Sequence, residues 1–128
     1  MSSAFNRVIL IGGLTKDPEL RYTPNGKAVV SFSIATTRRY RGADEEFQEE
    51  TTFIDCEGWG KLAETIAQYL TKGQPIFVEG RLKLDQWESP EGNRRSRLKV
   101  VVERFQFVGA PREETPVTNE ENTDVDVE

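Results

Sequence analysis

Aromatic and cationic side chains cluster in the stretch KLDQWESPEGNRRSRLK, residues 83–99. Trp87 stands before a Pro-Glu-Gly turn, and three arginines and a lysine follow that turn. A flat ring can stack on an unpaired base, and a nearby Lys or Arg can contact the phosphates of the same strand. Taken singly, each cation is more typical of solvated surface charge. Together with the ring, they predict a surface for single-stranded nucleic acid.

Three further rings stand among polar or charged residues. In TTFIDCEGW, residues 51–59, strand alternation places Phe53 and Trp59 on a wet face with two carboxylates. Tyr40 lies among three arginines in RRYRGADEEFQEE, residues 38–50, whose charge density predicts a solvated loop. For Phe53 and Trp59, a small satellite core under the helix or a contact between subunits stays open as the alternative. The candidates for base stacking are Tyr40, Phe53, Trp59 and Trp87.

Lysines and arginines near these rings supply candidate phosphate contacts. Asp85 is expected to pair only with Arg97 and to leave the other cations available. Stacking, at about 1–3 kcal/mol per base, would dominate and would tolerate any base sequence, while phosphate contacts would make binding salt-sensitive. The cations around Tyr40 are Arg38, Arg39 and Arg41, and those sharing the hairpin face of Trp87 are Arg81, Lys83, Arg95, Arg97 and Lys99.

The acidity of the chain belongs to its C-terminal end. The 128 residues carry a net charge of -5, yet residues 1–109 hold 16 Lys and Arg against 15 Asp and Glu. Residues 110–128 hold one arginine against seven acids, with no aromatic residue and no sustained apolar period. We therefore predict one nearly neutral domain over residues 1–109 and a disordered acidic tail over residues 110–128.

Histidine is absent and Cys56 is the single cysteine. These facts exclude Ser-His-Asp and Cys-His nucleophiles, an internal disulfide and a Cys/His metal site. Cys56 is expected to be a reduced strand thiol. No apolar run approaches the roughly 18 residues of a membrane span, and residues 1–14 lack the pattern of a signal peptide. We expect a cytoplasmic protein without metal, cofactor or membrane contact.

Strand-like segments dominate the first half of the domain. Residues 5–14, FNRVILIGGL, are apolar on both faces, as in a strand covered by the core on one side and by another subunit on the other. Residues 27–37 alternate, with the even-numbered residues inward and Val29 outward. Between these segments, Asn25-Gly26 supplies the positive φ angles of a tight hairpin.

One helix and a closing hairpin complete the order of elements. KLAETIAQYLTKG, residues 61–73, has apolar residues at helical spacing and Gly73 where a left-handed cap would end the helix. This order predicts an all-β fold with one helix, a five-stranded Greek-key OB barrel with a long projecting hairpin. A three-residue Pro-Glu-Gly loop sets the hairpin register to Leu82 with Val100, Lys83 with Lys99, Leu84 with Leu98, Asp85 with Arg97, Trp87 with Arg95 and Ser89 with Asn93.

The segment DCEGWGKLA, residues 55–63, offers an enzymatic alternative. It fits the dinucleotide pattern G-x-G-x-x-A at Gly58, Gly60 and Ala63, with Glu79 about twenty residues further on. Against it, the preceding strand carries two carboxylates, only one strand-helix-strand unit exists, and the other strands join by hairpins. We therefore expect a binding protein rather than an enzyme, and saturable NAD binding would revive the alternative.

Three longer stretches are NRVILIGGLTKDPELRYTPNGKAVVSFSIATTRRY, GWGKLAETIAQYLTKGQPIFVEGRLKLDQW and VVVERFQF. Over about residues 4–109 they resemble the bacterial single-stranded DNA-binding protein family. The resemblance implies a non-enzymatic, metal-free OB-fold subunit of a homotetramer. Such proteins bind single-stranded DNA without sequence preference and protect it during DNA replication, recombination and repair. The most specific residues are Gly12, Asp17-Pro18-Glu19, Arg21-Tyr22, Gly26, Lys61-Leu62-Ala63, Leu70, Lys72-Gly73 and Val78-Glu79-Gly80.

The resemblance also implies particular contacts and a nucleoid-associated location. Stacking positions of the family fall on the same four rings, Tyr40, Phe53, Trp59 and Trp87. Its phosphate contacts fall on Arg7, Arg21, Lys61, Lys72 and Lys83.

The tail departs from the family pattern. It ends DVDVE and lacks the terminal Pro-Phe with which the family docks replication and repair proteins, so recruitment of partners through the tip is in doubt. An OB adaptor for RNA or protein, such as a primosomal relative, stays open as another binding class.

Overall fold

Strands make up most of the part of the chain that the computed structural model describes, residues 4–109. The elements are β1 (Val8–Leu14), β2 (Glu19–Tyr22), β3 (Ala28–Arg41), β4 (Phe47–Trp59), α1 (Lys61–Tyr69), β5 (Pro75–Glu88) and β6 (Arg94–Phe107). The prediction of a β domain with one helix is confirmed. The acidic tail and its predicted disorder lie outside the described residues.

The strands close into a barrel. β1 pairs with β5, β5 with β6, β6 with β4 and β4 with β3, and β3 returns to β1 through Ile34 and Ala35. β2 then continues along β3 from Glu19 to Tyr22, beyond the point where β1 ends. Because β1 and β2 occupy one interrupted strand position, the closed sheet is the five-stranded barrel predicted from the sequence.

One core fills the barrel and extends under α1. The helix contacts β2, β3 and β4. Val29 lies on the outward side of β3, as predicted, but it is completely buried and does not face solvent. Its neighbours across the sheet are Arg21 and Trp59, whose longer side chains stand on either side of the short valine. The core residues are Leu14, Ala28, Val30, Phe32, Ile34, Cys56, Ala63, Ile66, Leu70, Ile76, Val78, Val100 and Val102.

α1 ends earlier than its apolar spacing predicts. Tyr69 is the last helical residue, and Leu70 is already extended while its N–H donates to the carbonyl of Ile66 at 3.1 Å. Gly73 has the predicted positive φ, +90°, but in a separate turn over residues 71–74. The prediction of a glycine cap is therefore wrong. The buried Leu70 side chain belongs to the core, and the chain leaves the helix at that residue.

Residues 38–50 form a two-stranded ribbon, so the prediction of a solvated loop is wrong. β3 and β4 continue through this segment, with residues 42–46 as the turn, and its basic half lies opposite its acidic half. Arg38 and Glu50 form an ion pair at 3.2 Å, and the next pair along the ladder also has opposite charges. Such cross-strand pairs contribute about 0.2–1 kcal/mol each. We call residues 38–50 the β3–β4 ribbon.

The register of the closing hairpin is confirmed. Every pair predicted from Leu82 to Trp87 is present, and the N–H of Ser89 donates to the carbonyl of Asn93 at 2.8 Å. The register shifts by one residue at Gly80, where an added Cβ would lie 1.9 Å from the carbonyl oxygen of Val101. Only glycine fits this close approach. We call residues 81–101, beyond the shift, the β5–β6 hairpin.

Three hairpin turns share one hydrogen-bond pattern. The first residue donates to the carbonyl of the fifth, and the fourth donates back to the first, at residues 23–27, 42–46 and 89–93. The fourth position is left-handed in each case, with φ of +87° at Gly26, +67° at Glu45 and +88° at Gly92. In the first turn only Gly26, and not Asn25, has positive φ, so the predicted tight hairpin is a three-residue loop.

Glu45 is therefore strained where its two counterparts are glycines. We expect Glu45→Gly to raise the free energy of unfolding in urea by about 0.5–1 kcal/mol, because glycine reaches the left-handed region without a Cβ clash. The matched reverse change, Gly92→Glu, should lower the free energy of unfolding by about 1–2 kcal/mol. A destabilised Glu45→Gly protein would contradict the assignment of strain to this position.

Candidate nucleic-acid interface

Odd-numbered residues of β4 point away from the core, since Ile54 and Cys56 point into it. Phe47, Phe53 and Trp59 lie on this outward side and are 62%, 67% and 43% exposed. The predicted wet face of Phe53 and Trp59 is therefore confirmed. These exposures rule out a satellite core under the helix for the two rings, while a contact between subunits stays open.

The outward side of β4 continues onto the β5–β6 hairpin. β4 and β6 run parallel where they meet, and Glu57 lies opposite Val101, so odd-numbered residues of both strands face the same way. Trp87 of β5, 49% exposed, is on this side with Arg95 opposite it. We call this surface of β3, β4, β6 and β5 the outer face. It brings three of the four predicted stacking rings onto one sheet surface.

An ion cluster lies on the outer face where β4 pairs with β6. The Nζ of Lys99 contacts the carboxylate of Glu57 and, at 2.5 Å, that of Asp85. Glu57 also accepts a hydrogen bond from the indole Nε1 of Trp59 at 2.5 Å. The Lys99 and Glu57 side chains are only 13% and 9% exposed. The cluster connects Trp59 of β4 to the β5–β6 hairpin, and it encloses Lys99, which was predicted to contact phosphate.

The cluster shifts the pKa values of Lys99 and Asp85. Burial acts to lower the pKa of Lys99, but hydrogen bonds to Asp85 and Glu57 outweigh it and raise that pKa above its ordinary value. The hydrogen bond from Lys99 in turn lowers the pKa of Asp85. Stabilisation from Asp85 is present above its ordinary pKa and is lost as pH falls through the lowered value. Asp85 and Lys99 are therefore both charged at neutral pH.

Asp85 does not pair with Arg97 as predicted. Its carboxylate contacts Lys99 and, at 3.8 Å, Lys83, whereas Arg97 reaches across to Asp55 of β4 at 3.6 Å. Asp85 and Arg97 are opposite each other in register, but the longer arginine side chain finds a carboxylate on the neighbouring strand. Carboxylates of the outer face thus neutralise several of its cations.

A second ion cluster lies at the base of the β5–β6 hairpin. Glu103 accepts hydrogen bonds from Arg81 at 2.8 Å and from Arg7 at 3.0 Å. The hydrogen bond from Arg81, followed by that from Arg7, lowers the pKa of Glu103. Asn6 also brackets Leu82, donating to its carbonyl and accepting from its N–H, both at 2.9 Å. The chain before β1 therefore anchors the hairpin.

Tyr40 lies apart from the other three rings in register. It is opposite Gln48 in the β3–β4 ribbon, so it occupies the reverse side of the ribbon from Phe53. The guanidinium of Arg38 stands over the Tyr40 ring at 4.7 Å from its centroid. Arg39 and Arg41 are on the outer face of the ribbon.

Three cations implied by the resemblance lie on other elements. Arg21 of β2 is opposite Val29 and so belongs to the outer face, and Lys61 begins α1 two residues after Trp59. Lys72 lies in the turn before β5, where its N–H donates to Asp17 at 2.8 Å. Within residues 4–109, the predicted phosphate contacts that form no ion pair are Arg21, Arg41, Lys61, Lys72 and Arg95.

Sequence reasoning missed two features of the outer face. Phe47 was hidden in a segment assigned to a loop, although its spacing of six residues from Phe53 already placed both rings on one side of any continuous strand. Glu57 was expected to be solvated, but Lys99 and Trp59 enclose it. Its ion pair joins residues distant in sequence, so no local pattern could reveal it.

The enzymatic alternative at Gly58 and Gly60 does not fit the topology. In a dinucleotide-binding fold, the strands before and after the helix are parallel strands of the same sheet. Here β4 and β5 are not neighbours, and β5 is antiparallel to both of its partners. Gly58 has a packing role instead, because an added Cβ would lie 2.5 Å from Cδ2 of Leu62.

Other chemistries find little support in residues 4–109. Burial raises the pKa of the Cys56 thiol to about 12, so the thiol stays protonated. No group of three His, Cys, Asp or Glu side chains in this part of the chain is arranged to hold a metal ion. None of its helices is long and apolar enough to cross a membrane.

Residues 5–108 match the single-strand binding protein family. The chain belongs to this family. Single-stranded DNA-binding proteins of Helicobacter hepaticus and Aquifex aeolicus are 42% and 41% identical to it, over 90% and 84% of this chain and 69% and 72% of their own lengths. A third, from Bacillus cereus, is 47% identical over 80% of this chain and 59% of its own length.

Two solved structures are similar to this chain. A deletion mutant of the single-stranded DNA binding protein from Thermus aquaticus is 35% identical, with a TM-score of 0.73 over 82% of this chain and 51% of that one. A Plasmodium falciparum SSB in complex with ssDNA is 21% identical, with a TM-score of 0.79 over 85% of this chain and 99% of that one. The second likeness shows the barrel fold.

The enclosed Glu57 should matter more to stability than an exposed carboxylate. We expect Glu57→Gln to lower the free energy of unfolding by about 1–2 kcal/mol, because it removes one counter-charge from a largely buried lysine. Glu49→Gln is the matched control, since the Glu49 and Arg39 side chains are 65% and 64% exposed, and it should change stability by less than about 0.5 kcal/mol. Equal effects in urea unfolding would contradict the importance of the cluster.

Proposed function

We propose that this protein binds single-stranded DNA without sequence preference and protects it during DNA replication, recombination and repair. The observation that carries the proposal is the outer face, where Phe53, Trp59 and Trp87 are exposed on one continuous sheet surface among lysines and arginines. Membership of the single-strand binding protein family supports it. The protein acts by binding and not by catalysis.

Base stacking supplies most of the affinity in this proposal. Phe53 and Trp59 stand six residues apart on β4, and Trp87 lies across the meeting of β4 and β6. A stacked base contributes about 1–3 kcal/mol whatever its identity, because every base has a flat face. Tyr40 would receive a base where the strand passes around the edge of the β3–β4 ribbon.

Phosphate contacts come from two kinds of cation. The cations that form no ion pair among the described residues can meet phosphates directly, and these are Arg21, Arg41, Lys61, Lys72 and Arg95. The remaining cations, such as Lys99 and Arg97, must exchange a carboxylate for a phosphate. That exchange releases fewer counterions per contact, so the salt dependence of binding should be smaller than the number of cations alone indicates.

The proposed assembly is a homotetramer. Ile9 and Ile11 of β1 are exposed on the barrel surface, and Leu84 and Leu98 are exposed on the reverse side of the β5–β6 hairpin. Leu84 and Leu98 lie on the reverse side of the sheet from the rings, and Ile9 and Ile11 lie on β1, which is not one of the strands of the outer face. Subunit contacts can therefore cover both apolar surfaces and leave the rings free. Binding to chromosomal single strands would associate a cytoplasmic protein with the nucleoid.

Titration with oligo-dT tests this function. We expect it to quench the fluorescence of Trp59 and Trp87, with affinity falling as salt rises. Trp87→Ala should raise Kd about 5- to 100-fold with little change of salt slope. Lys83→Ala should reduce that slope by less than about one unit, because Asp85 already holds Lys83 at 3.8 Å in the free protein. These opposite signatures separate a stacked ring from a phosphate contact.

Tyr69→Ala is the control for loss of an exposed ring, since Tyr69 is 59% exposed on α1 and lies off the outer face. It should leave affinity unchanged. No binding to oligo-dT at low salt would overturn the proposed function, and affinity for RNA equal to or greater than that for DNA would favour the OB adaptor instead. A native mass of the free protein tests the tetramer.

A further inference from the structure

Phe47 is an aromatic residue that does not pack into the core. It is 62% exposed and is neither a core residue nor one of the partly buried residues packed against the core. It lies at the start of β4, opposite Arg41, where the β3–β4 ribbon extends beyond the barrel. A phenylalanine in such a position leaves most of its apolar surface exposed to solvent.

The position of Phe47 continues the row of rings on β4. Phe47, Phe53 and Trp59 are each six residues apart on one strand, and all have odd numbers, so all three lie on the outer face. At about 3.3 Å per residue, successive rings are about 20 Å apart. A single strand that follows β4 from Trp59 past Phe53 would next meet Phe47.

Cations surround the Phe47 ring. The guanidinium carbon of Arg41 is 4.9 Å from the ring centroid and that of Arg39 is 5.2 Å from it. Arg41 forms no ion pair within residues 4–109, and Arg39 holds Glu49 only loosely, at 3.8 Å. An exposed ring with two cations against it offers a base a stacking surface once a guanidinium gives way, and it offers the adjoining phosphate a positive charge.

A purely structural role for Phe47 is a weaker account of its position. The ribbon is already held by a continuous backbone ladder, by the Arg38–Glu50 ion pair at 3.2 Å and by a hydrogen bond between the Thr37 and Thr51 hydroxyls at 3.1 Å. A polar residue at position 47 would preserve the backbone pairing with Arg41 equally well, without an exposed ring.

We propose that Phe47 is a further base-stacking residue, with Arg41 as its phosphate partner, and that it extends the path of the bound strand to the end of the β3–β4 ribbon. This inference rests on the proposed binding of single-stranded DNA. The ligand that it assigns to Phe47 and Arg41 is one nucleotide of the bound strand, with its base on the ring and its phosphate on the guanidinium.

Single-tryptophan proteins test the inference, because Trp59 and Trp87 are the only tryptophans of the chain. The first protein carries Phe47→Trp, Trp59→Phe and Trp87→Phe, and its one tryptophan reports from position 47. The matched protein carries only Trp87→Phe and reports from position 59. Both are titrated with an oligo-dT long enough to saturate the matched protein.

We expect quenching in both proteins at saturation. Quenching at position 59 without quenching at position 47 would overturn the role of Phe47 while leaving the proposed function intact. Absence of quenching in both, together with unchanged mobility of labelled oligo-dT, would overturn the proposed function and the role of Phe47 with it.

Two substitutions of Phe47 separate stacking from packing. Phe47→Ala and Phe47→Leu should both raise Kd for oligo-dT by about 5- to 10-fold with an unchanged salt slope, since neither side chain has a flat face. Full affinity in the leucine protein and reduced affinity in the alanine protein would identify a packing role and overturn the proposal. Circular dichroism of both proteins checks that the barrel is folded.

Discussion

The meeting of β4 and β6 is the contact on which the outer face depends. These strands pair over only two positions, Cys56 with Val100 and Glu57 with Val101. The inward side of this short contact is held by the core, and the outward side is held by the cluster of Lys99 with two carboxylates. Phe53 and Trp59 of β4 form one surface with Trp87 of the hairpin only while β4 and β6 are paired. The proposed binding of DNA therefore requires that β4 and β6 remain paired in the closed barrel.

The outer face carries carboxylates as well as cations. Asp55, Glu57 and Asp85 hold Arg97, Lys99 and Lys83, so the charges of these three cations are balanced in the free protein. A phosphate that replaces a carboxylate gains a positioned cation, but it must compete with an existing ion pair. Stacking, which meets no such competitor, is consequently the larger source of affinity in the account.

The fold follows from the sequence where a local pattern determines it. The Pro-Glu-Gly loop and the matching of Leu84 with Leu98 fixed the hairpin register correctly, because a slip of one residue would pair apolar with charged side chains. The high charge of residues 38–50 predicts a loop, but the basic and acidic halves of this segment face each other and allow the two strands of the β3–β4 ribbon to pair. The place of Phe47 in the row of rings follows from its spacing once residues 47–59 are recognised as one strand. The enclosure of Glu57 by Lys99 depends on a pairing across the sheet that no local pattern encodes.

The most direct test of the account is an amide-resolved NMR titration of the protein with oligo-dT. The account predicts that the largest shift changes map to the outer face of β4 and to the β5–β6 hairpin around Trp87, with β1 around Ile9 and Ile11 little affected. Changes confined to β1, or to the reverse side of the hairpin at Leu84 and Leu98, would contradict the assignment of the outer face as the DNA-binding surface.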